Sequence, residues 1–164
     1  MNNQRSGLLS RDLIGTWALV SRIDRTAGGE RREEPSLGED PVALLYYDRG
    51  GHFAAQFMKR DRTKPSGSEP SSSAAPNNSR AQGGYDAYFG TYAVDDVRGT
   101  VTQRLLGALS RENVGAVLTR AMTVQGNALI IQLQTTTGDG IAVTRTLTWR
   151  RVDRDGSAPT VDPR

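Results

Sequence analysis

The chain has 164 residues, 36% of them hydrophobic, and a formal net charge of +3. This length supports one domain, and the modest apolar content fits a shell around a cavity better than a solid core. With no cysteine, disulfides, thiolate catalysis and cysteine-ligated metal sites are all excluded. All but Lys59 and Lys64 of the 21 basic residues are arginine, scattered and often beside acids, as in Glu30-Arg31-Arg32-Glu33-Glu34. A nucleic-acid footprint would gather them on one element with interleaved aromatics, so no nucleic-acid partner is expected.

Taken in order, residues 1–12 are a polar N-terminal segment without the apolar run of a signal peptide. No stretch of bilayer-spanning length follows, so the expectation is a cytoplasmic protein with no membrane partner, monomeric or homodimeric. The first strand spans Ile14–Arg25, with Trp17, Leu19, Ser21 and Ile23 on one face. It ends at Ala27-Gly28-Gly29, and a polar loop with Pro35 and Pro41 leads to a strand over Val42–Tyr47. Asp48-Arg49-Gly50-Gly51 reads as a hairpin turn into His52–Lys59. Residues 60–84 carry Pro65, Pro70, Pro76, a Ser71-Ser72-Ser73 run and Asn77-Asn78, which suits either a flap over the barrel mouth or disorder. Further strands are expected at Tyr88–Val94, Thr100–Leu106, Val117–Val124, Ala128–Thr136 and Ile141–Val152, separated by Gly- and Asp-rich turns. Residues 153–164 carry Gly, Pro and charge, and the expectation is a frayed tail.

Eight short strands linked mostly by hairpins favour closure, which removes both unpaired edges. The expected fold is an all-β, eight-or-more-stranded antiparallel up-and-down barrel over 13–152, with a central cavity. Gly15-Thr16-Trp17 at the start and Trp149-Arg150-Arg151 at the end supply a closure device: an indole plug with a guanidinium across its face. Period two puts Arg151, rather than Arg150, on the face of Trp149.

These residues resemble the small bacterial and fungal lipocalin-like domain proteins. The resemblance is carried by Leu13-Ile14-Gly15-Thr16-Trp17, Gly38-Glu39-Asp40-Pro41-Val42, Gly51-His52-Phe53-Ala54-Ala55-Gln56, Tyr88-Phe89-Gly90-Thr91-Tyr92, Gly99-Thr100-Val101-Thr102 and Leu147-Thr148-Trp149-Arg150-Arg151-Val152. It implies a barrel of lipocalin-like (calycin) type without one assigned reaction. Three stretches depart from the family pattern. Gln103 and Arg104 stand where it carries a histidine pair, Arg111-Glu112-Asn113 replaces Pro-Asn-Trp, and Gln82-Gly83-Gly84-Tyr85 is a poor helix.

His52, the sole histidine, begins a strand near a rim, where a solvent-facing role and acid–base work are both open. A lone histidine makes no His-rich metal site, and no phosphate loop or nucleophile elbow appears, so neither metal nor cofactor is expected. Tyr47, Phe53, Phe57, Met58, Tyr88, Phe89 and Tyr92 gather on three strands, either as core or as cavity wall. Gly90 would leave space between the phenols of Tyr88 and Tyr92. Polar residues on apolar faces point more sharply: Gln56 beside Ala54 and Met58, Gln103 beside Val101 and Leu105, Arg120 beside Leu118, Met122 and Val124. An inward Arg120 is a buried cation needing a partner, either a ligand or a place on the floor beside Trp17.

The expected occupant is therefore a small hydrophobic molecule. Tyr88, Gln103 and Arg120 are the candidate catalytic residues. Tyr47, Phe53, Gln56, Phe57, Met58, Tyr92, Leu105, Met122 and Leu133 are the candidate binding wall. One functional expectation is a cofactor-free cyclase or isomerase that folds a polyketide- or terpenoid-like substrate into a reactive conformer. The other is a non-catalytic binder or carrier of a hydrophobic ligand.

Overall fold

The computed structural model describes residues 7–62 and 81–152. Most of the expected flap (63–80), the tail 153–164 and residues 1–6 lie outside the described residues. After a short helix α1 (Leu9–Asp12), the strands are β1 (Gly15–Arg25), β2 (Arg31–Arg32), β3 (Val42–Tyr47), β4 (His52–Met58), β5 (Tyr85–Asp95), β6 (Thr100–Ala108), β7 (Val117–Gln125), β8 (Ala128–Thr136) and β9 (Ala142–Arg151). Pairing runs β1-β3-β4-β5-β6-β7-β8-β9, all antiparallel, and β1 pairs back with β9, so eight strands close into a barrel. The two-residue β2 is an extra strand along β1 at Asp24–Arg25.

Alternation decides what fills the barrel. Ala43, Leu45 and Tyr47 of β3, Phe53, Ala55 and Phe57 of β4, and Val143, Arg145, Leu147 and Trp149 of β9 are buried, while their neighbours face outward. Two irregularities break the period. In β1 the register slips between Leu19 and Ser21, leaving Val20 unpaired. An extra residue moves every later side chain to the other face. Ser21 and Ile23, expected on the Trp17 face, are therefore displaced from the core by Arg22 and Asp24. The second slip lies between Phe89 and Gly90 of β5. A Cβ on Gly90 would stand 1.8 Å from the Arg104 carbonyl oxygen. Gly90 thus admits the β6 backbone, and the expected ligand space between Tyr88 and Tyr92 is not there.

One end is plugged. Trp17 is fully buried and its Nε1–H donates to the Leu13 carbonyl at 2.9 Å. The Arg151 guanidinium lies 4.1 Å from the indole centre and donates to the carbonyls of Ile14 and Asp12. Gly15 sits at φ +137°, and a Cβ there would stand 2.8 Å from Arg151 Nη1, which is why glycine precedes the plug by two residues. Helix α1 packs Leu9 into the core and is tied to the β5–β6 hairpin by two hydrogen bonds from Ser10 to Asp96. The closure thus begins several residues before position 13.

Truncating Trp17 to Ala removes a fully buried indole and is expected to cost about 3–5 kcal/mol of stability. Denaturant titration checks this; a loss below ~1 kcal/mol would mean the indole is not a plug.

Candidate functional site

Inside the barrel a cavity of about 50 Å³, partly open to solvent, is lined by residues of every strand of the closed sheet. Its apolar wall comprises Leu37, Leu45, Phe57, Met122, Ile131, Leu133, Leu147 and Trp149. Aromatic contacts fix part of that wall: Phe57 stacks on Tyr88 at 6.3 Å and meets the Trp149 edge at 5.7 Å. The polar wall is Arg22, Tyr47, Asp86, Tyr88, Gln103, Arg120 and Arg145. Of the residues expected at the site, Tyr47, Phe57, Tyr88, Gln103, Arg120, Met122 and Leu133 line this one cavity.

The others lie elsewhere. Gln56 is exposed on the outer wall and Met58 shares its face, because Phe53, Ala55 and Phe57 take the inward positions of β4. Both are corrected from cavity to exterior. Phe53 and Leu105 are buried in the core but not on the cavity wall. Tyr92 packs edge-on against Tyr47 at 4.8 Å, and its hydroxyl donates to the Asp48 carbonyl at 2.6 Å, away from the cavity. His52 is exposed in the hairpin with Nδ1 3.4 Å from Asp48 Oδ2. Arg120 is not the floor partner of Trp17, a position that Arg151 occupies.

Two of the polar groups serve each other. Gln103 Nε2 donates to the Tyr47 hydroxyl at 2.7 Å, and that hydroxyl points its own proton at Met122 Sδ, 3.7 Å away. Burial pushes the Tyr47 phenol far above its ordinary range, so it stays neutral. A buried amide with a partner of its own has less to offer a ligand than a free one.

The sequence reading missed Arg22, Asp24, Asp86 and Arg145, which form a charged arc on the interior. Arg145 grips Asp24 bidentately, both bonds at 2.7 Å, with both side chains buried. Arg22 is 3.2 Å from Glu34. Burial, then the like charge of Arg145, pulls the Arg22 guanidinium below its usual range. Period two already places Arg145 on the face of Leu147 and Trp149, so that signal was present. Arg22 and Asp24 are concealed by the β1 bulge. Asp86 was left out because β5 starts at Tyr85, three residues before the expected strand. Its carboxyl is buried, and desolvation raises its pKa to about 6 against a pull downward from the Ala87 amide and Arg22.

No group of three or more His, Cys, Asp or Glu among the described residues is arranged to hold a metal ion. No described helix is long and apolar enough to cross a membrane. A closed antiparallel barrel, plugged at one end and hollow within, defines a lipocalin-like protein. The model of the Lipocalin-like domain family matches residues 14–152, and the chain belongs to that family. No curated protein matches the chain.

Asp86 has a testable thermodynamic signature. Its folded pKa of about 6 stands above the ordinary 3.8, so the folded state holds its proton more tightly. The associated stability is fully present below about pH 4 and is lost as pH rises through 6, up to about 3 kcal/mol. Asp86→Asn is expected to be more stable than the parent at pH 7, with the gap closing by pH 4. Urea titrations across that range check it; a gap independent of pH would remove Asp86 as the titrating group.

Proposed function

We propose that the barrel binds a small, mostly apolar molecule in its cavity, and that this binding is the protein's role. The observation that carries the reading is the cavity itself: an aliphatic and aromatic wall faced by polar side chains, among them Asp86, Gln103 and Arg120. That is the composition by which small-molecule sites take up apolar surface while fixing orientation. A barrel serving only as a scaffold gains from filling its interior, since empty space forfeits packing.

The second reading is catalytic: a cofactor-independent cyclisation or isomerisation of a polyketide- or terpenoid-like molecule held in the same space. One feature favours it. Asp86 is a cavity carboxyl with a pKa near 6, suited to take and return a proton close to neutral pH, and the Tyr88 phenol lines the same wall. Shape, exclusion of water and these groups would supply the acceleration.

The binding role is tested with 2-naphthamide, a neutral aromatic probe, by calorimetric titration. The parent is expected to bind it, and Leu133→Trp, which fills the cavity, is expected to lose binding without losing thermal stability. Absence of binding in the parent, or unchanged binding in the filled variant, would refute the cavity as the site. To separate catalysis from carriage, a ligand recovered by native mass spectrometry is incubated with fresh protein. A product of unchanged mass but new retention time, lost in Asp86→Asn while binding persists, marks an isomerase; a carrier returns its ligand unaltered.

A further inference from the structure

Three arginines line the cavity, and two have counter-charges. Arg145 holds Asp24 through two hydrogen bonds, and Arg22 holds Glu34. Asp86, the acid on the cavity wall, faces Arg22. Arg120 is different. It is buried to nine-tenths, and among the described residues its guanidinium has no ion pair and no hydrogen bond. The groups that bear on it are the phenols of Tyr47 and Tyr88 and the like-charged Arg145. Tyr47 is already engaged by Gln103 and Met122.

Such an arrangement is costly. A guanidinium stays protonated in a protein, so it cannot escape burial by losing its charge. An uncompensated buried cation destabilises the fold by more than a packed apolar residue of similar volume would. A second group on the same wall is also left unserved: the Trp149 indole lines the cavity, and its buried Nε1–H has no acceptor among the described residues. Both deficits are of one kind. Each leaves a donor beside the cavity without an acceptor, and for the charged one, Arg120, the matching acceptor carries negative charge.

We propose that the cavity's ligand carries an anionic oxygen group, a carboxylate or its equivalent, which pairs with Arg120 while its apolar body lies against Phe57, Leu133 and Trp149. This rests on the small-molecule reading above and adds to it the charge of the ligand and the residue that reads it. Arginine suits the task because its planar fork meets the two oxygens of a carboxylate in parallel.

The test compares two probes of one shape, 2-naphthoate and 2-naphthamide, near neutral pH, where only the first is charged. The parent is expected to bind the carboxylate roughly ten- to a hundredfold more tightly than the amide, the range for a charge-assisted pair. In Arg120→Met that preference disappears, the two probes binding alike, and Arg120→Lys restores part of it. Equal affinity for the two probes in the parent, or a preference that survives Arg120→Met, overturns the anion assignment and leaves the cavity reading standing. Binding of neither probe overturns both. Thermal unfolding gives an independent check. Arg120→Met is expected to raise Tm by a few degrees, because the unpaired cation is gone. A fall in Tm would show that Arg120 holds the barrel together, and would overturn its role as ligand anchor.

Discussion

The seam between β1 and β9 is the constraint on which the rest of the molecule depends. Seven of the eight strand junctions of the barrel join strands that follow one another around the sheet, most through short turns, whereas the seam joins the first strand to the last. Trp17 pairs across it with Arg151, the same residue whose guanidinium covers the indole and reaches the carbonyls before β1. One arginine therefore sets the register of the seam, shields the plug and ties down the chain leading into it. Without the seam the sheet would have two open edges and no enclosed space.

The interior shows how the same seam creates polarity. Below the bulge, β1 offers Trp17 to the core; above it, the strand offers Arg22 and Asp24. The inserted residue converts an apolar inner face into a charged one within a single strand. Arg145 on the adjoining strand answers Asp24 across the seam, and Glu34 answers Arg22, so these charges are neutralised by buried partners and not by solvent. The apolar wall opposite, around Phe57 and Met122, keeps the local dielectric low and makes each remaining unpaired group matter more.

How much of this was legible in the sequence follows from which signals are local. Alternation and turn glycines located the strands, and Gly15, Trp17 and Arg151 announced the plugged end, because each is a short-range pattern. The inward set on β6 and β7 also followed from alternation, which brought Gln103 and Arg120 to the cavity. Gln56 was misassigned because Ala54 and Met58 made its face look apolar, although the opposite face held Phe53 and Phe57. The bulges were invisible, since an unpaired Val20 has no composition of its own. Asp86 was missed for a related reason: the strand that carries it inward begins among glycines and polar residues that read as loop. What lies nearest the cavity charges was thus the least readable part of the chain.

The distance in sequence between the two sides of the seam has a kinetic consequence. Hairpins such as β7–β8 close after a few residues, while the contact between Arg151 and Ile14 spans 137 positions. Loop-closure entropy makes the short pairings early and the long one late in folding. Interactions absent from the folding transition state govern how fast a protein opens, not how fast it forms. On that argument the arginine laid over the indole acts as a latch: it has little effect on the speed of assembly, and it sets how long the finished barrel stays shut.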